Sequence, residues 1–412
     1  MIGILPYILI FANFAFFCIS ELFPGVITYK QLAVVLAFVS VSIVFLNIRK
    51  SIKANKALIV ASFVLLIICV CIFLTGDLFY RNALFGKDIY NGEVLAVVGQ
   101  TTPLVIIALL FAEKETLLSK TKRLAPYIAI VFTLVSLSSA LHPANLTSGG
   151  YALDDNGMNY QNISYMAAYA SSFTFFYLLN RHNCSFGRLL DSNLAAIIMI
   201  VTLFINFFTV LISGGRGGLI CILVQLVVFI FVLLVLKKQP LLKVVPITFL
   251  SILIVLFVLS VVQNAHVDSS GFDRILRFLN ERDDAGRGII RRIAYRSIKE
   301  SPIYGHGLGS SMFIIGQGSG GQHIHCHNFI LDAMVETGIL GTLFFVGVLV
   351  KTIKNLAIIV KRDITEYLWL VIFLDGFVMS MFSGYYLAHL PIAWSIGFSL
   401  SRIKHSVVVK KR

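Results

Sequence analysis

The chain has 412 residues, of which 58% are hydrophobic and only 13% are charged. Ordinary soluble domains carry roughly 25% charged residues, so water cannot be the main solvent of this chain and a soluble fold is excluded. The formal net charge of +14 would suit a nucleic-acid partner, but most of the basic residues follow a pattern that membrane topology explains better.

Long apolar runs separated by short polar segments predict about twelve transmembrane helices. A bilayer core about 30 Å thick needs about 20 apolar residues at helical rise, and helices satisfy their own backbone there. The predicted fold is therefore an all-α, polytopic integral membrane protein. The predicted spans are 3–20, 31–48, 57–75, 91–112, 125–141, 163–180, 193–212, 219–236, 245–263, 328–350, 365–383 and 388–401.

The first apolar run, 3–20, is expected to be a retained helix rather than a cleaved signal peptide. It has no basic segment before it, and Glu21-Leu22-Phe23-Pro24 after it is not a small-residue cleavage site. The six cysteines of the chain lie mostly inside apolar runs and lack paired spacing. They predict neither a disulfide framework nor a zinc site.

Most of the 34 lysines and arginines lie in alternate loops of this predicted topology. The positive-inside rule places such loops, and both termini with them, in the cytoplasm. Attraction to anionic lipid follows as a by-product, and no nucleic-acid partner is expected. The predicted cytoplasmic segments are 49–56, 113–124, 181–192, 237–243, 351–364 and 402–412.

The chain divides around one large loop. Residues 1–263 hold predicted transmembrane helices 1–9, and residues 328–412 hold helices 10–12 and a basic cytoplasmic tail. Between them, residues 264–327 form the single large extracytoplasmic loop. A connection of this length in a compact architecture is usually functional or disordered.

A basic amphipathic helix is predicted inside this loop, at 285–300. Isoleucines and an alanine recur at helical spacing, and arginines occupy the rest of the wheel. Asp283-Asp284 is a suitable N-cap and Ser301-Pro302 ends the helix. Such a helix would lie on the membrane interface or over the bundle, with its cations available to phosphate. An ordinary surface helix is the alternative.

Glycines are frequent in the stretch that follows, from Gly305 to Gly321. A dinucleotide-binding fingerprint needs a strand before it and a helix after it, and the sequence predicts neither here. We interpret the stretch as a linker, with a mobile lid as the alternative.

Arg216 lies in the short hinge Ser213-Gly214-Gly215-Arg216-Gly217-Gly218 between two strongly apolar runs. An arginine at membrane depth is costly and marks a candidate functional site. The surrounding glycines would let a ligand approach the backbone, and the planar guanidinium matches phosphate oxygens. The alternative is an arginine that reaches along the helix end to the interface.

Three alternating histidines, His323, His325 and His327, precede the tenth predicted span. In an extended segment they would share one face, an arrangement that would suit zinc or copper. We find no acidic or thiolate residue that is an equally good candidate to complete a metal-ligand set with these histidines. We therefore expect no metal. A histidine beside a membrane-facing pocket can instead act as a general base, since its unperturbed pKa is about 6.5.

Three short motifs taken together resemble the O-antigen ligase and polymerase superfamily of membrane glycosyltransferases. Their order and shared location outside the membrane carry the resemblance, which covers about residues 190–350. The motifs are Gly215-Arg216-Gly217; Gly286-Arg287 with Ser301-Pro302 and Gly305-His306-Gly307-Leu308-Gly309; and His327-Asn328 with Gly338-Ile339-Leu340-Gly341-Thr342.

The resemblance implies a C-type glycosyltransferase architecture and assigns roles to three residues. Arg216 and Arg287 would bind the pyrophosphate of a lipid-linked glycan, and His327 would be the base that activates an acceptor hydroxyl. The reaction would need no metal and no cofactor, and would invert the anomeric centre in one displacement. The candidate supporting residues are His325, Asn328 and Arg291.

The resemblance also implies partners and a location. The donor would be an undecaprenyl-pyrophosphate-linked glycan and the acceptor a glycan or the lipid A core. The site would face outward from a bacterial inner (plasma) membrane, with a chain-length regulator or a flippase as further partners. A polymerase of surface polysaccharide is preferred over an O-antigen ligase. A flippase or other transporter is the alternative of another class, although transporters place charges near the membrane midplane.

Overall fold

The computed structural model describes residues 3–22, 29–47, 97–142, 158–239, 287–321 and 325–408. Within these ranges the chain forms helices and turns and contains no β-strand, as the composition predicts. The predicted spans at 57–75 and 245–263 lie outside the described residues. The total of twelve spans therefore stays a prediction.

The α-helices of the described residues are numbered in chain order. They are α1 (Leu5–Ile10), α2 (Ala12–Leu22), α3 (Tyr29–Leu46), α4 (Thr102–Phe111), α5 (Glu115–Ala140), α6 (Tyr160–Asn180), α7 (Asn193–Ser213), α8 (Arg216–Phe231), α9 (Arg287–Glu300), α10 (Ser310–Gly318), α11 (Phe329–Arg362), α12 (Tyr367–Ser380) and α13 (Leu390–Val408). The π-helical turns Val97–Thr101 and Val232–Leu236 precede α4 and follow α8, and the 3-10 turns Ile364–Glu366 and Tyr386–Ala388 precede α12 and α13.

Several helices differ from the predicted spans. The first span is divided into α1 and α2 at Phe11, which has non-helical backbone angles (φ −117°, ψ 43°). α5 begins ten residues before its predicted span, and α11 continues to Arg362. The reason is that hydropathy marks only the apolar part of a helix, whereas charged residues of good helix propensity extend it into the polar layer.

Four helices of the described chain are long and apolar enough to cross a membrane, namely Glu115–Ala140, Asn193–Ser213, Arg216–Leu236 and Phe329–Arg362. Their outer faces carry large exposed apolar side chains, such as Val227 on α8 and Phe344 on α11, which are 66% and 67% exposed. Contiguous apolar surface of this kind suits hydrocarbon rather than water. The protein is an all-α membrane protein.

Helix α6 lies at the centre of the bundle and packs against α5, α7, α8 and α12. Almost all of its side chains are buried. Many of them are small, among them Ser164, Ala168 and Ser172, which lets the neighbouring backbones approach closely. Asn159 caps the helix by accepting a hydrogen bond from the Asn162 amide.

A buried carboxylate on α12 joins α6, α8 and α12. Asp375 accepts hydrogen bonds from Gln225 Nε2 (2.8 Å) on α8 and from Ser172 Oγ on α6. Gln225 Nε2 also donates to the Ala168 carbonyl at 3.0 Å. Because a carboxylate inside the membrane is costly unless it is partnered, this network fixes α8 against α6. It thereby fixes the position of Arg216 at the start of α8.

An ion-pair network lies at the other end of the bundle. Glu366 accepts from Lys122 Nζ (3.0 Å) and from Arg402 Nη2 (2.7 Å), and Arg402 also pairs with Glu115. Glu115, Lys122 and Arg402 belong to predicted cytoplasmic segments, and Glu366 lies two residues after the predicted segment 351–364, so three of these segments meet at one end. Helix α11 runs from that end to the opposite one, where its first turn follows His327.

Candidate active site

Arg216 is the first residue of α8. The preceding helix ends at Gly214, which has φ +71° and donates its N–H to the Val210 and Leu211 carbonyls. Gly215 then provides the extended N-cap of α8. The half-buried guanidinium therefore stands at a helix N-terminus, where the backbone amides and the helix dipole already favour an anion.

The glycines around Arg216 make room for α6 rather than for a ligand. A Cβ atom at Gly215 would lie 2.0 Å from Ser164 Oγ, and one at Gly217 would lie 2.3 Å from the Tyr165 hydroxyl. The expectation that these glycines open the backbone to a ligand is therefore wrong. Their physical role is a close helix contact that presses the start of α8 against α6.

Arg287 is the first described residue of α9 and reaches the loop between α12 and α13. Its Nη2 donates to the Phe382 carbonyl at 3.3 Å, and the guanidinium carbon lies 5.6 Å from the Phe382 ring centroid. This is hydrogen-bond and cation–π geometry. The contact holds α9 against the outer end of the α12–α13 pair.

Arg287 lies within electrostatic range of Arg216 and Arg291, which both act on its pKa. Burial lowers this pKa, and Tyr165 and Tyr160 of α6 raise it, while the positive charges of Arg216 and Arg291 lower it further. The side chain nevertheless stays cationic, because an arginine guanidinium keeps its proton in proteins near neutral pH. A diphosphate placed here would relieve the repulsion between the arginines.

Helix α9 covers Arg287–Glu300, within the segment 285–300 for which an amphipathic helix is predicted; residues 283–286 lie outside the described chain. Its apolar face is buried on protein, because Ile290 and Ala294 form a small core with Ile315 of α10 and Val335 of α11. The cationic face remains outside this core. Helix α9 is thus a cover over α10 and the start of α11.

The glycine-rich stretch is not a linker. It contains α10, and its turns are bonded to the first part of α11: the His306 and Gly307 amides donate to the Val335 and Glu336 carbonyls at 2.9 and 2.8 Å. The prediction failed because hydropathy and glycine content do not reveal backbone hydrogen bonds to a distant helix.

Gly338 breaks α11 at the point where this stretch contacts it. Its backbone angles are φ 60° and ψ −165°, and the next amide, that of Ile339, donates to the Pro302 carbonyl at 2.9 Å. A Cβ atom at Gly338 would lie 2.2 Å from the Ile303 carbonyl oxygen, and Gly305 is equally tight against the α11 backbone. The second and third sequence motifs therefore interlock physically.

His327 precedes Asn328, the N-cap of α11, and has φ +49°, a left-handed conformation that is uncommon outside glycine. Hydrogen bonds on both sides of His327 hold its backbone in this conformation. On one side the Cys326 amide donates to Asp332 Oδ1 at 3.0 Å, and on the other the Asn328 side chain caps α11 by accepting from two amides at 3.0 and 3.1 Å. Such strain is often concentrated at functional positions.

His325 lies beside His327, with ring centroids 6.3 Å apart, and stacks on Tyr385 at 6.2 Å. Burial lowers the pKa of His325 to about 4, so its imidazole is neutral near pH 7. Tyr385 donates to Glu336 Oε2 at 2.8 Å, and Ser311 donates to Glu336 Oε1 at 2.6 Å. Glu336 thus fixes the ring on which His325 rests.

The loop 381–389 between α12 and α13 connects the arginines with the histidines. Its Phe382 contacts Arg287, its Ser383 lies beside the Tyr165 hydroxyl, and its Tyr385 stacks on His325. In the predicted topology this loop is only the break between the spans 365–383 and 388–401. The available signal was a cluster of serine, tyrosine and histidine at the outer end of two apolar runs.

His323 lies outside the described residues, so the alternating triplet of histidines is not tested. Within the described part of the chain, no group of three or more His, Cys, Asp or Glu residues could hold a metal ion.

Comparison with protein families tests the resemblance. Residues 201–346, roughly a third of the chain, match the family model described as O-antigen ligase. This part of the chain is similar to the O-antigen ligases. The O-antigen ligase region holds Arg216, Arg287 and His327, and it nearly coincides with the expected region of about 190–350, so the predicted resemblance is confirmed. Comparison with curated proteins gives no match.

Proposed function

We propose that this protein is a membrane glycosyltransferase that moves a glycan from an undecaprenyl pyrophosphate carrier to a hydroxyl of an acceptor sugar. The reaction belongs to surface polysaccharide biosynthesis, such as O-antigen, capsule or exopolysaccharide, at the outer face of a bacterial inner (plasma) membrane. The observation that carries the proposal is the O-antigen ligase region, within which Arg216 lies close to Arg287 and both lie near the loop on which the histidine pair rests.

Arg216 and Arg287 bind the donor pyrophosphate in this proposal. Departure of the carrier develops negative charge on the diphosphate, and fixed guanidinium groups in a partly dry site stabilise that charge. The N-terminus of α8 adds backbone amides at the same place. Arg291, exposed one turn along α9, extends the positive surface toward the carrier headgroup.

His327 acts as the general base. The acceptor hydroxyl oxygen attacks the anomeric carbon of the donor sugar while the bond from that carbon to the pyrophosphate oxygen breaks, so the anomeric centre is inverted. The hydroxyl proton passes to the neutral imidazole of His327, and the electron pair leaves with undecaprenyl pyrophosphate. The bonds, the proton and the electron pair of this step are all accounted for without a cofactor or a metal.

The supporting residues fix the backbone and the surroundings of His327. Asn328 caps α11 and Asp332 holds the Cys326 amide, so both fix the backbone of His327. His325, kept neutral by burial, adds no positive charge beside the base and limits the space into which its ring can turn.

A polymerase, which extends a lipid-linked repeat, is preferred here to a ligase that transfers the finished glycan to the lipid A core. The same three residues serve both reactions. A flippase and a chain-length regulator are the expected protein partners of a polymerase.

The test is transfer by purified protein in lipid nanodiscs from a radiolabelled undecaprenyl-pyrophosphate-linked repeat to a defined acceptor, with and without a chelator. His327→Ala should abolish transfer yet retain donor binding, because the pyrophosphate still meets Arg216 and Arg287. His182→Ala, an exposed histidine at the opposite end of the bundle, is the matched control and should transfer normally. Full activity of His327→Ala would refute the base assignment, and chelator-sensitive activity would refute the metal-free mechanism.

A further inference from the structure

Glu336 lies two turns into α11 and its side chain is fully buried. Both oxygens of its carboxylate accept a hydrogen bond. Oε1 accepts from Ser311 Oγ of α10 at 2.6 Å, and Oε2 accepts from the Tyr385 hydroxyl of loop 381–389 at 2.8 Å. Ser311 and Tyr385 are themselves buried. One side chain of α11 therefore joins two segments that are far apart in the sequence.

The backbone of Glu336 is fixed as well as its side chain. Its carbonyl accepts from the Gly307 amide at 2.8 Å. A Cβ atom at Gly305 would lie 2.4 Å from the Glu336 carbonyl carbon, so the stretch before α10 packs directly on this turn of α11. Because main chain and side chain are both held, the carboxylate can fix the position of the groups that donate to it.

A carboxylate is a costly residue at this position. Burial removes it from water, and replacing a buried ionic group by an apolar one of similar size is often neutral or stabilising. Asp332, one turn earlier on the same helix, is also buried and holds the Cys326 amide beside His327. Glu336 has no such contact with the segment before α11. Its partners therefore have to explain why an acid is placed there.

One of those partners leads to the histidine pair. The Tyr385 ring stacks on His325 with an interplanar angle of 25° and a centroid distance of 6.2 Å. His325 in turn contacts His327 edge to face, with the centroids 6.3 Å apart. The hydrogen bond to Glu336 fixes the outer end of the Tyr385 ring. It thereby limits how far His325 can move away from His327.

We propose that Glu336 is a positioning residue of the transfer reaction, which holds Tyr385 against His325 and so sets the orientation of the His327 imidazole toward the acceptor hydroxyl. The inference rests on the proposed function and adds to it a residue that the three sequence motifs do not contain. Glu336 is buried behind Tyr385 and acts through that ring.

Steady-state kinetics of the radiolabelled transfer reaction provide the first test. Glu336→Gln keeps the size of the side chain and removes one acceptor oxygen, and Tyr385→Phe keeps the ring and removes the hydroxyl. Each should lower kcat about tenfold, the scale of one lost hydrogen bond to a charged group. KM for donor and acceptor should each stay within about twofold of wild type, and the melting temperature of Glu336→Gln within about 3 °C.

The double variant tests whether Glu336 acts through Tyr385. Both substitutions break the same link, so together they should lower kcat about tenfold rather than the hundredfold or so expected of independent effects. Tyr386→Phe is the matched control, because Tyr385 and Tyr386 are each 3% exposed but the Tyr386 ring packs on Phe329 and Phe345. It should keep the wild-type kcat. A hundredfold loss in the double variant would refute the path through Tyr385.

Histidine modification provides a second test that does not need turnover. His325 is 9% exposed and should react slowly with diethyl pyrocarbonate, as measured by peptide mass mapping. Glu336→Gln should raise its rate of modification at least about fivefold by releasing the Tyr385 ring. His389, which is held by the Ser383 backbone, should keep its slow rate. Equal acceleration of both histidines would indicate a general loosening of loop 381–389 and overturn the positioning role.

The two proposals fail differently. If wild-type protein transfers no glycan, the proposed function fails whatever the histidine mapping shows. If wild-type protein transfers glycan and Glu336→Gln keeps the wild-type kcat, the positioning role is refuted while the glycosyltransferase remains. A lower melting temperature with an unchanged kcat would leave Glu336 a structural role only. Where Glu336→Gln does not accumulate in the membrane, the kcat of Tyr385→Phe decides in the same way.

Discussion

The side chain at position 216 has to meet a requirement of shape as well as of charge. A guanidinium presents a planar fork of donors that matches two phosphate oxygens at once, whereas a lysine ammonium is a point charge. Gly215 and Gly217 allow the start of α8 to pack closely against α6. The backbone from which the Arg216 side chain extends is therefore fixed in position. The value of this fork to the proposed reaction thus depends on geometry that charge alone does not supply.

Arg216→Lys is the informative substitution because it keeps the charge and removes the fork. We expect transfer to fall about a hundredfold or more, on the scale of losing one donor to a developing anion, with normal protein abundance in the membrane. Arg287→Ala should behave similarly. The matched control is Arg292→Ala, an exposed arginine on α9 outside the motifs, which should stay within about threefold of wild type in the radiolabelled transfer assay. Full activity of Arg216→Lys would support the alternative, in which Arg216 only reaches along the helix end to the membrane interface.

His325 should make the folded protein sensitive to acid. Its folded pKa is lowered to about 4 by burial, while an unfolded chain titrates near about 6.5. Between these values the unfolded state binds a proton that the folded state does not, so stability falls as pH decreases from about 6.5 to about 4. The loss attributable to this one group is about 3 kcal/mol.

The measurement is thermal unfolding of purified protein near pH 7 and near pH 4.5. His327, Tyr385 and His389 lie near His325 and are present in both proteins, so the comparison with His325→Asn isolates the contribution of His325. The variant should lose clearly less melting temperature on acidification than wild type. An identical loss in both would show that His325 is not the sensitive group.

At the scale of elements, the site depends on how the stretch 301–318 fits into the kink of α11. The kink frees amides at Ile339 and beyond, and the carbonyls of Pro302 and Ile303 accept from them. In return, His306 and Gly307 donate to carbonyls of the first part of α11. This reciprocal bonding fixes α10, whose Ser311 reaches Glu336, relative to the histidine pair.

Gly338→Ala should disrupt this arrangement. The glycine has φ 60° and ψ −165°, a region that is essentially restricted to glycine, and a Cβ would lie 2.2 Å from the Ile303 carbonyl oxygen. We expect a loss of more than about 3 kcal/mol in the free energy of unfolding, seen as a lower melting temperature and reduced abundance.

Gly347→Ala on the same helix is the matched control, since a Cβ there meets nothing within 4 Å. It should be neutral or slightly stabilising, by about 0.5 kcal/mol, because alanine lowers the entropy of the unfolded chain. Equal stability of both variants would show that the interlock contributes little.

At the scale of the whole molecule, the bundle has two chemically different ends. One end carries the ion-pair network of Lys122, Glu366 and Arg402, from segments that the positive-inside rule places in the cytoplasm. The other end carries Arg216, Arg287 and the histidine pair. Helix α11 spans the distance between them, so the two ends should face opposite sides of the membrane.

Labelling of introduced cysteines tests this topology. Gln317→Cys places a thiol on the exposed end of α10, and Lys361→Cys places one on the exposed last turn of α11 at the opposite end. In intact cells or spheroplasts, an impermeant maleimide should label the first and not the second, and lysis should make both reactive. The reverse pattern would place the candidate active site in the cytoplasm and exclude an external glycan acceptor.

The sequence by itself determined the class of the protein and the residues to consider. Composition and the length of the apolar runs require lipid as solvent, and the motifs around Arg216, Arg287 and His327 were enough to predict the resemblance that the family match over 201–346 confirms. Periodicity also predicted α9. These features are local or additive along the chain, so no knowledge of distant contacts is needed to recognise them.

Only the tertiary structure decided how those residues meet. The role of loop 381–389 and the contacts of Gly215 and Gly217 with α6 depend on residues far apart in sequence. Glycine in particular is ambiguous in a sequence, because the same residue permits a ligand, a turn or a close helix contact. Which of these applies depends on the atoms that another helix places beside it, and that is a property of the packed bundle.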